Sequence, residues 1–398
     1  MEWKSILVSL GIMIQKEITG IVTDSREVKA GYLFVAINSG DQYIDEVLKK
    51  GAQVVTEKSI PNTFKTKNTI AFLGALAKAH RARLNAKVIG ITGSVGKTSL
   101  SRFLAQKLPG KVVYPTGNYN NEIGLPLTVL KADMETDYLI AEMGVAKVGD
   151  MDYLGAILMP DIGVITHIGP THLEWLKSTK GVWDEKSKLI KYAKKMVINQ
   201  DAAFTELSDD ILWVGVNSAV QVTTKGICVD NQFYDYDVMG IQYRMYIYAC
   251  AHAVFKILHL KPNFNQINWP AMRMEIQTHS SGATIILDCY NASLLSYIAA
   301  IRYISLKKNY IIVLGEMSEL GAKSVYYHEL LGHILNRYRV PMVVMIGENH
   351  HATMRTFLGE VNYFEDKALL MIWLESQLSP GISVLIKGAR HLALEGLL

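Results

Sequence analysis

The run VIGITGSVGKTS, from Val88 to Ser99, constrains this chain more than any other stretch. An apolar strand runs into a glycine-bearing turn, and a helix begins directly behind it. Gly93 and Gly96 permit positive φ and a close approach of backbone to ligand. The amides of such a turn, with the helix N-terminus behind them, form an anion cradle. Lys97 is spaced to reach β- and γ-phosphates, and the Thr98 hydroxyl suits a Mg²⁺ ion. Gly93, Ser94, Gly96, Lys97, Thr98 and Ser99 are therefore the candidate nucleotide-binding residues. The helix terminus alone contributes about 0.3–1 kcal/mol near a surface. That is too little to hold a triphosphate, so the lysine and a metal must supply the rest. Ile91 stands five residues before Gly96, so the run is the shorter TGSxGKT form rather than GxxxxGK[ST]. An ordinary strand–turn–helix is the bland alternative. The order of strand, GxxGKT and helix argues against it.

At 398 residues the chain has length for two or three domains. Its 49% hydrophobic content is ample for real cores. A net charge of +4 is spread along the chain. That weakly favours anionic small molecules and gives no reason to expect nucleic acid. The 3 cysteines, Cys228, Cys250 and Cys289, lie far apart without metal-type spacing. They read as reduced thiols of a cytoplasmic protein. Ile6 to Ile14 is apolar behind Lys4, like the h-region of a signal peptide. It lacks a small-residue cleavage site and is too short to span a bilayer, so a buried N-terminal helix is expected. Membrane insertion is not expected.

The predicted class is α/β, in three parts. Residues 1–85 read as a small α/β unit, with a turn at Lys29–Gly31, a helix end followed by a short strand over Gly51–Glu57, and a connecting helix around Ala75–Leu84. Residues 86–262 read as a central parallel sheet with strands at Val88–Thr92, Tyr138–Glu142, Ile162–Ile168 and Met196–Asn199. Continuous apolar strands alternating with helices imply a parallel sheet covered on both faces. Lys261–Pro270 reads as a polar linker. Residues 268–398 read as a second α/β series, with strands at Ile285–Leu287, Ile311–Leu314, Val343–Ile346 and Val384–Ile386. Helices are predicted there over Ser293–Ile304 and Ser324–Arg337. In parallel sheets, ligands bind beyond the carboxyl ends of the strands. Glu142, His167, His172 and Asn199 all fall at or just past such ends.

Several segments add candidate chemistry. TGNYNNEIGLPL, Thr116–Leu127, offers Asn118, Asn120 and Asn121 to a polar substrate; helix capping competes for the same side chains. Glu142 ends an apolar strand, where an unpaired carboxylate is costly. A Mg²⁺ ion or a nearby lysine would satisfy it. His172, in THIGPTHLEW, is a structural histidine, a metal ligand or an acid–base group. WDEKSKLIKYAKK, Trp183–Lys195, reads as a lysine-rich helix with a solvated face.

Together these segments resemble the Mur ligase family, the ATP-dependent amide ligases of peptidoglycan synthesis. DSR at Asp24–Arg26 with AGYLFVAI resembles the unit that holds the UDP-sugar. TGSVGKTS resembles the family P-loop. GNYNNEIGLPLTVL, AEMG and THIGPTHLEW resemble further signatures. RMEI at Arg273, DCYNAS at Asp288, VLGEMSELG at Val313 and IKGAR at Ile386 resemble the C-terminal domain. The resemblance spans nearly the whole chain in the family's order. It implies an N-terminal UDP-sugar domain, a central P-loop ATPase domain and a Rossmann-like C-terminal domain.

The resemblance also implies roles. Lys97 and Thr98 would hold phosphates and Mg²⁺, and Glu142 and His172 would be metal ligands. Lys186 falls where the family carries a carbamylated lysine. Asn199 would approach the nucleotide, and Arg273 and Asp288 would close on ATP. Ser25 and Arg26 would touch the uridine diphosphate. The expected substrates are UDP-N-acetylmuramoyl-tripeptide and D-alanyl-D-alanine, acted on by a monomer. GIQYRMY, at Gly240–Tyr246, departs from the family's GxHxxxN, with Gln242 and Tyr246 in place of histidine and asparagine. Other readings are a ligase of the same scaffold with another substrate, a weakened nucleotide-binding paralogue, and a generic P-loop NTPase.

Overall fold

The computed structural model describes residues 3–14, 16–204, 211–238 and 240–397. Three sheets follow one another along the chain. The first has 4 strands in the order β1-β2-β3-β4. They are β1 (Gly20–Val22), β2 (Tyr32–Val35), β3 (Gln53–Thr56) and β4 (Phe64–Lys65), and all pair in parallel. Ahead of them lies α1 (Trp3–Ser9), which buries Trp3, Ile6 and Leu7, as the apolar start of the chain predicts. Between β2 and β3 lies α2 (Ile44–Lys49), and α3 (Thr69–Arg81) leads on to the second sheet. Asn68 starts α3, its side chain accepting from Ala71 N.

The second sheet has 9 strands. The strands are β5 (Lys87–Thr92), β6 (Val112–Val113), β7 (Tyr138–Glu142), β8 (Ile162–Ile165), β9 (Lys195–Asn199), β10 (Ile211–Gly215), β11 (Val220–Val222), β12 (Gly226–Val229) and β13 (Gln232–Asp235). Their order across the sheet is β13-β12-β11-β10-β9-β8-β5-β7-β6. Alternation along β5 and β7 decides which helices cover which face. Ile89, Ile91 and Ile140 pack with α4 (Lys97–Lys107) and α9 (Tyr243–Ile257). Val88, Leu139 and Ala141 face the opposite layer of α3, α5 (Gly124–Leu130) and α6 (Asp150–Leu158). Both faces are covered, which is why the strands read as unbroken apolar runs. The four strands expected from the sequence pair in parallel, and one edge of the sheet adds an antiparallel hairpin region that was not expected. There β12 and β13 run antiparallel, because short hairpin loops join them.

The third sheet has 6 strands, in the order β14-β15-β19-β16-β17-β18. These are β14 (Glu275–Thr278), β15 (Thr284–Asp288), β16 (Tyr310–Leu314), β17 (Met342–Ile346), β18 (Glu360–Phe364) and β19 (Ser383–Lys387). All pairings are parallel except that of β14 with β15. Ile286, Ile312 and Leu385 face α10 (Leu294–Ile304) and α11 (Ser324–Arg337), and Ile285, Ile311 and Val384 face α13 (Lys367–Gln377), which follows the short α12 (His350–Met354).

Three local expectations are corrected. The strand predicted over Ile162–Ile168 ends at Ile165, because Thr166 turns its hydroxyl to Val95 O, 2.6 Å away, and His167 leaves the ladder to bridge Val95. The helix predicted over Trp183–Lys195 is instead α8 (Thr179–Lys186), a 3₁₀ turn and the start of β9. Lys188 pairs there with Glu185 at 2.7 Å and Asp152 at 2.9 Å, which bends the chain toward α6. The supposed polar linker is anchored rather than loose. Phe264 is buried against Phe103, Phe255 and His252, a burial that contributes about 1.5–3 kcal/mol. Gln106 clasps Asn268 through both of its backbone groups.

Candidate active site

The P-loop lies between β5 and α4, at the carboxyl end of the sheet. Gly93 has φ +143°, and a Cβ there would meet Thr166 Oγ1 at 2.0 Å, so only glycine fits. Gly96 caps α4 in the left-handed conformation. Ser94 is spent on the scaffold: its hydroxyl donates to Gly169 O and accepts from Gly169 N and Thr171 Oγ1, each at 3.0 Å. That clamps the loop after β8 onto the P-loop. Ser99 is buried on the inner side of α4. Lys97 Nζ folds back to donate to Gly93 O at 2.7 Å. Burial lowers its pKa, opposed by the nearby Glu142 carboxylate.

Glu142 ends β7 and is 2% exposed. It accepts from Thr98 Oγ1 at 2.9 Å. Burial raises its pKa, while Lys97, Thr98 and Arg273 oppose the shift. Arg273, just before β14, reaches across to donate from Nη2 to Thr98 Oγ1 at 3.1 Å. Its guanidinium lies over the Tyr290 ring, 4.4 Å from the centroid, and its Nε is buried without a hydrogen-bond partner among the described residues. Asp288 ends β15 and is clasped by the fully buried Lys387, Nζ to Oδ2 at 2.5 Å. Lys97, Thr98, Arg273, Asp288 and Tyr290 line one cavity of about 490 Å³ between the second and third sheets, while Glu142 and Lys387 stand behind them.

Around it stands a second set of charges. Lys186 is fully buried in α8 and donates to Val145 O at 3.1 Å. Burial drives its pKa well down, and nearby Lys97 adds to the effect. Lys97 therefore supplies the neighbouring cation for Lys186. Lys188, the residue two further on, is occupied by Glu185 and Asp152. Glu185, itself 2% exposed, accepts from Gly149 N at 2.9 Å and Met151 N at 3.0 Å at the start of α6. That seats the end of α8. His172, in the left-handed conformation ahead of α7 (Leu173–Leu176), pairs through Nδ1 with Glu319 Oε2 at 2.8 Å. Glu319 comes from the third sheet's side, in the loop after β16. It was not singled out by sequence, and neither was Glu185.

The candidate residues therefore separate. Lys97, Thr98, Arg273, Asp288 and Asn120 meet at the cavity. Asn120 packs onto Gly144, where a Cβ would meet its Oδ1 at 2.6 Å. Asn121 does what a capping residue does, its Oδ1 accepting from Ile123 N and Gly124 N at the start of α5. Asn118 is exposed in the preceding turn and does not line the cavity. Asn199 does not line it either: its Oδ1 accepts from Asp201 N at 3.1 Å, and Asp201 takes the lining position. Ser25 and Arg26 stay with the first sheet, away from the cavity. There Arg26 forks onto Asp24, Nε to Oδ1 at 2.9 Å and Nη2 to Oδ2 at 2.5 Å.

The donors suit Mg²⁺ in one respect. Thr98 and Glu142 present adjacent hard oxygens, and the buried carboxylate calls for a cation. Among the described residues no three His, Cys, Asp or Glu side chains converge as a metal cage. That accords with an ion held mainly by substrate phosphates and only a few protein oxygens. The structure does not join His172 to Glu142 in such a set; its imidazole is turned to Glu319.

A P-loop sheet met by an arginine from a second α/β unit defines the class: a P-loop enzyme whose site is completed by its C-terminal part. The Mur ligase middle domain model matches residues 91–249, and the model described as Mur ligase, glutamate ligase domain matches residues 272–390. The chain belongs to the Mur ligase family. It is 29% identical to the UDP-N-acetylmuramoyl-tripeptide–D-alanyl-D-alanine ligase of Bacillus subtilis, over 96% of this chain and 92% of that one. It is 26% identical to the Escherichia coli ligase of the same name, over 94% and 92%. Its fold is similar to that of MurF from Acinetobacter baumannii, with a TM-score of 0.89, 23% identity and coverage of 100% and 96%. MurF from Thermotoga maritima, solved in complex with ADP, gives 0.83 at 23% identity, with coverage of 96% and 95%. No helix among the described residues is long and apolar enough to cross a membrane.

Proposed function

We propose that this chain is an ATP-dependent amide ligase joining D-alanyl-D-alanine to UDP-N-acetylmuramoyl-tripeptide through an acyl phosphate. One observation carries the ligase reading: Arg273, from the C-terminal part, donates to the P-loop Thr98 at 3.1 Å. An acyl phosphate is lost to hydrolysis unless water is excluded, and a second α/β unit seated over the P-loop excludes it. The substrates are supported by the activity named for relatives aligned along nearly the whole chain.

In this reading residues 1–85 hold the UDP-sugar through Ser25 and Arg26. Residues 86–262 bind ATP, and residues 268–398 supply Arg273 and Asp288. Lys97 exchanges the Gly93 carbonyl for the β- and γ-phosphates. Arg273 stands beside Thr98, where a transferring phosphoryl group develops charge. Asn120 offers an amide to the muramoyl peptide. Thr98 and Glu142 would hold Mg²⁺, which supplies charge neutralisation at the phosphoryl oxygens. Burial, with Lys97 nearby, shifts the Lys186 amine toward the neutral form that takes up CO₂ as a carbamate. The incoming amine then displaces phosphate through a tetrahedral intermediate.

The test is phosphate release from ATP with UDP-N-acetylmuramoyl-tripeptide, with and without D-alanyl-D-alanine. Release that requires both acceptor and donor is expected. Lys97→Ala should lower it by about 10²–10³-fold, the cost of one preorganised transition-state contact. Turnover indifferent to the muramoyl substrate would overturn the reading.

A further inference from the structure

The third sheet has two ends. The carboxyl ends of its strands meet the second sheet, through Asp288 at the cavity and Glu319 at His172. The opposite, amino end is built from the connections 305–309, 338–341 and 355–359, which lead into β16, β17 and β18. These strands are parallel neighbours, with Met342 level with Glu360, so the three connections lie side by side. β16 and β18 stand two strand spacings apart, roughly 10 Å. Leu306, in the first connection, is 74% exposed, and Leu358, in the third, is 89% exposed. The backbone carrying Leu358 is held firmly. Asn336 of α11 clasps it twice, Nδ2 donating to Thr356 O at 2.7 Å and Oδ1 accepting from Leu358 N at 2.9 Å. The loop is fixed, and the leucine side chain is left in water.

Cations accompany the two leucines. Lys307 and Lys308 follow Leu306, Arg337 ends α11 beside Asn336, and Arg339 lies in the middle connection. Lys307 is drawn over the Tyr303 ring, 4.9 Å from its centroid. Lys308, Arg337 and Arg339 are exposed and have no ion-pair partner among the described residues. None of the three connections contains an acid; Glu360, which opens β18, is the first to follow them. A helix C-terminus favours cations of its own accord, so the basic residues alone call for no partner. One exposed leucine is ordinary as well. Leucines on neighbouring loop tips with unpaired cations between them are different: they match a surface that is anionic outside and apolar just beneath. The leucines sit on separate tips and form no continuous stripe. A fluid layer closes round each tip, whereas a bound helix or strand needs a contiguous face.

We infer that the amino end of the third sheet is a peripheral docking surface for an anionic phospholipid bilayer. Leu306 and Leu358 enter the headgroup layer, and Lys308, Arg337 and Arg339 meet lipid phosphates. Only loop tips enter, and the cavity at the other end of the sheet stays open to small molecules. The inference stands whatever reaction that cavity performs. The test is cosedimentation of the full chain with vesicles of phosphatidylglycerol and phosphatidylcholine in equal parts, and with vesicles of phosphatidylcholine alone. Binding to the anionic vesicles should be roughly tenfold or more the tighter at low salt, and should fall as salt screens the cations. A basic residue near such a surface is worth a factor of about five, so Arg337→Glu with Arg339→Glu should weaken binding roughly tenfold or more. Leu306→Ser with Leu358→Ser should weaken it by about tenfold, through the apolar area no longer inserted. Both double variants should keep the wild-type thermal transition and rate of phosphate release, since they lie away from the P-loop. No binding of the wild-type chain to the anionic vesicles, or equal binding to both kinds, would overturn the inference. Wild-type binding by the leucine variant, with retention on heparin lost only in the arginine variant, would overturn it too. That result would assign the edge to a soluble polyanion.

Discussion

The Glu319 carboxylate holds the His172 imidazole at 2.8 Å, while the Glu319 carbonyl accepts from Leu173 N at the same distance. One residue of the C-terminal part thus fixes both the side chain and the backbone at the start of α7. The hydrogen bond to His172 is the main reason the Glu319 pKa is lowered. Lys97 and Lys186 lie near enough to add to that shift. Glu319 is therefore a positioning residue between the two halves of the site.

Glu319→Gln should keep the backbone contact and lose the charge. A hydrogen bond to a charged group is worth about 1.5–3 kcal/mol. The expected result is a tenfold or greater fall in kcat with nucleotide Kd unchanged. Steady-state phosphate release alongside ADP calorimetry separates the two. An unchanged kcat would remove Glu319 from the site.

Lys186→Ala should abolish ligation. If the family's carbamate forms here, added short-chain carboxylic acids should restore part of the rate by supplying the missing anion. The structure favours the neutral amine through burial and the nearby Lys97 cation. Full activity in Lys186→Ala would leave the lysine with a packing role only.

Arg26→Ala should weaken binding of the UDP substrate and spare ADP, since Arg26 lies outside the cavity. Its fork to Asp24 is exposed, so little stability should be lost. Equal UDP-sugar affinity in the variant, measured by calorimetry, would move the uridine contact elsewhere.

His252 gives a pH prediction for the fold. It is buried among Phe264, Tyr234 and Tyr236, and hydrogen-bonded to the Tyr236 hydroxyl at 2.7 Å. Burial lowers its pKa to about 4 from an ordinary value near 6.5. The unfolded chain therefore takes up a proton first as pH falls. Stability is fully present above the ordinary value and is lost between there and about 4. At about 1.36 kcal/mol per pH unit, the loss from pH 7 to pH 5 comes to about 2 kcal/mol. Urea unfolding of wild type and His252→Phe at the two pH values checks this. The variant should lose that share of the pH dependence.

The buried parallel strands were legible because apolar runs bounded by polar residues leave little choice; Tyr138–Glu142 forms a strand over the predicted residues. The hairpin edge β11–β13 was missed, since its strands are short and half-exposed. β18 was missed for a related reason: EVNYF alternates at a sheet edge, as no buried strand does. The P-loop carries its chemistry locally and could be read from one segment. Glu319, Tyr246 and Asp201 enter the site only through folding, from loops and helices far apart in the chain. Asn121 could not be told from its neighbour Asn120 by type, because only the start of α5 decides which amide is used up.

Each sheet draws its strands from one uninterrupted length of chain: the first ends by Lys65, the second spans Lys87 to Asp235, and the third begins at Glu275. A ribosome making this protein from its N-terminus therefore delivers complete sheets in turn. None has to wait for a strand still unsynthesised, and none leaves a gap for a strand of its neighbour to fill. The contacts that form last are those joining Arg273 to Thr98 and Glu319 to His172. A nascent chain would thus carry a folded phosphate cradle well before it carried a finished catalyst.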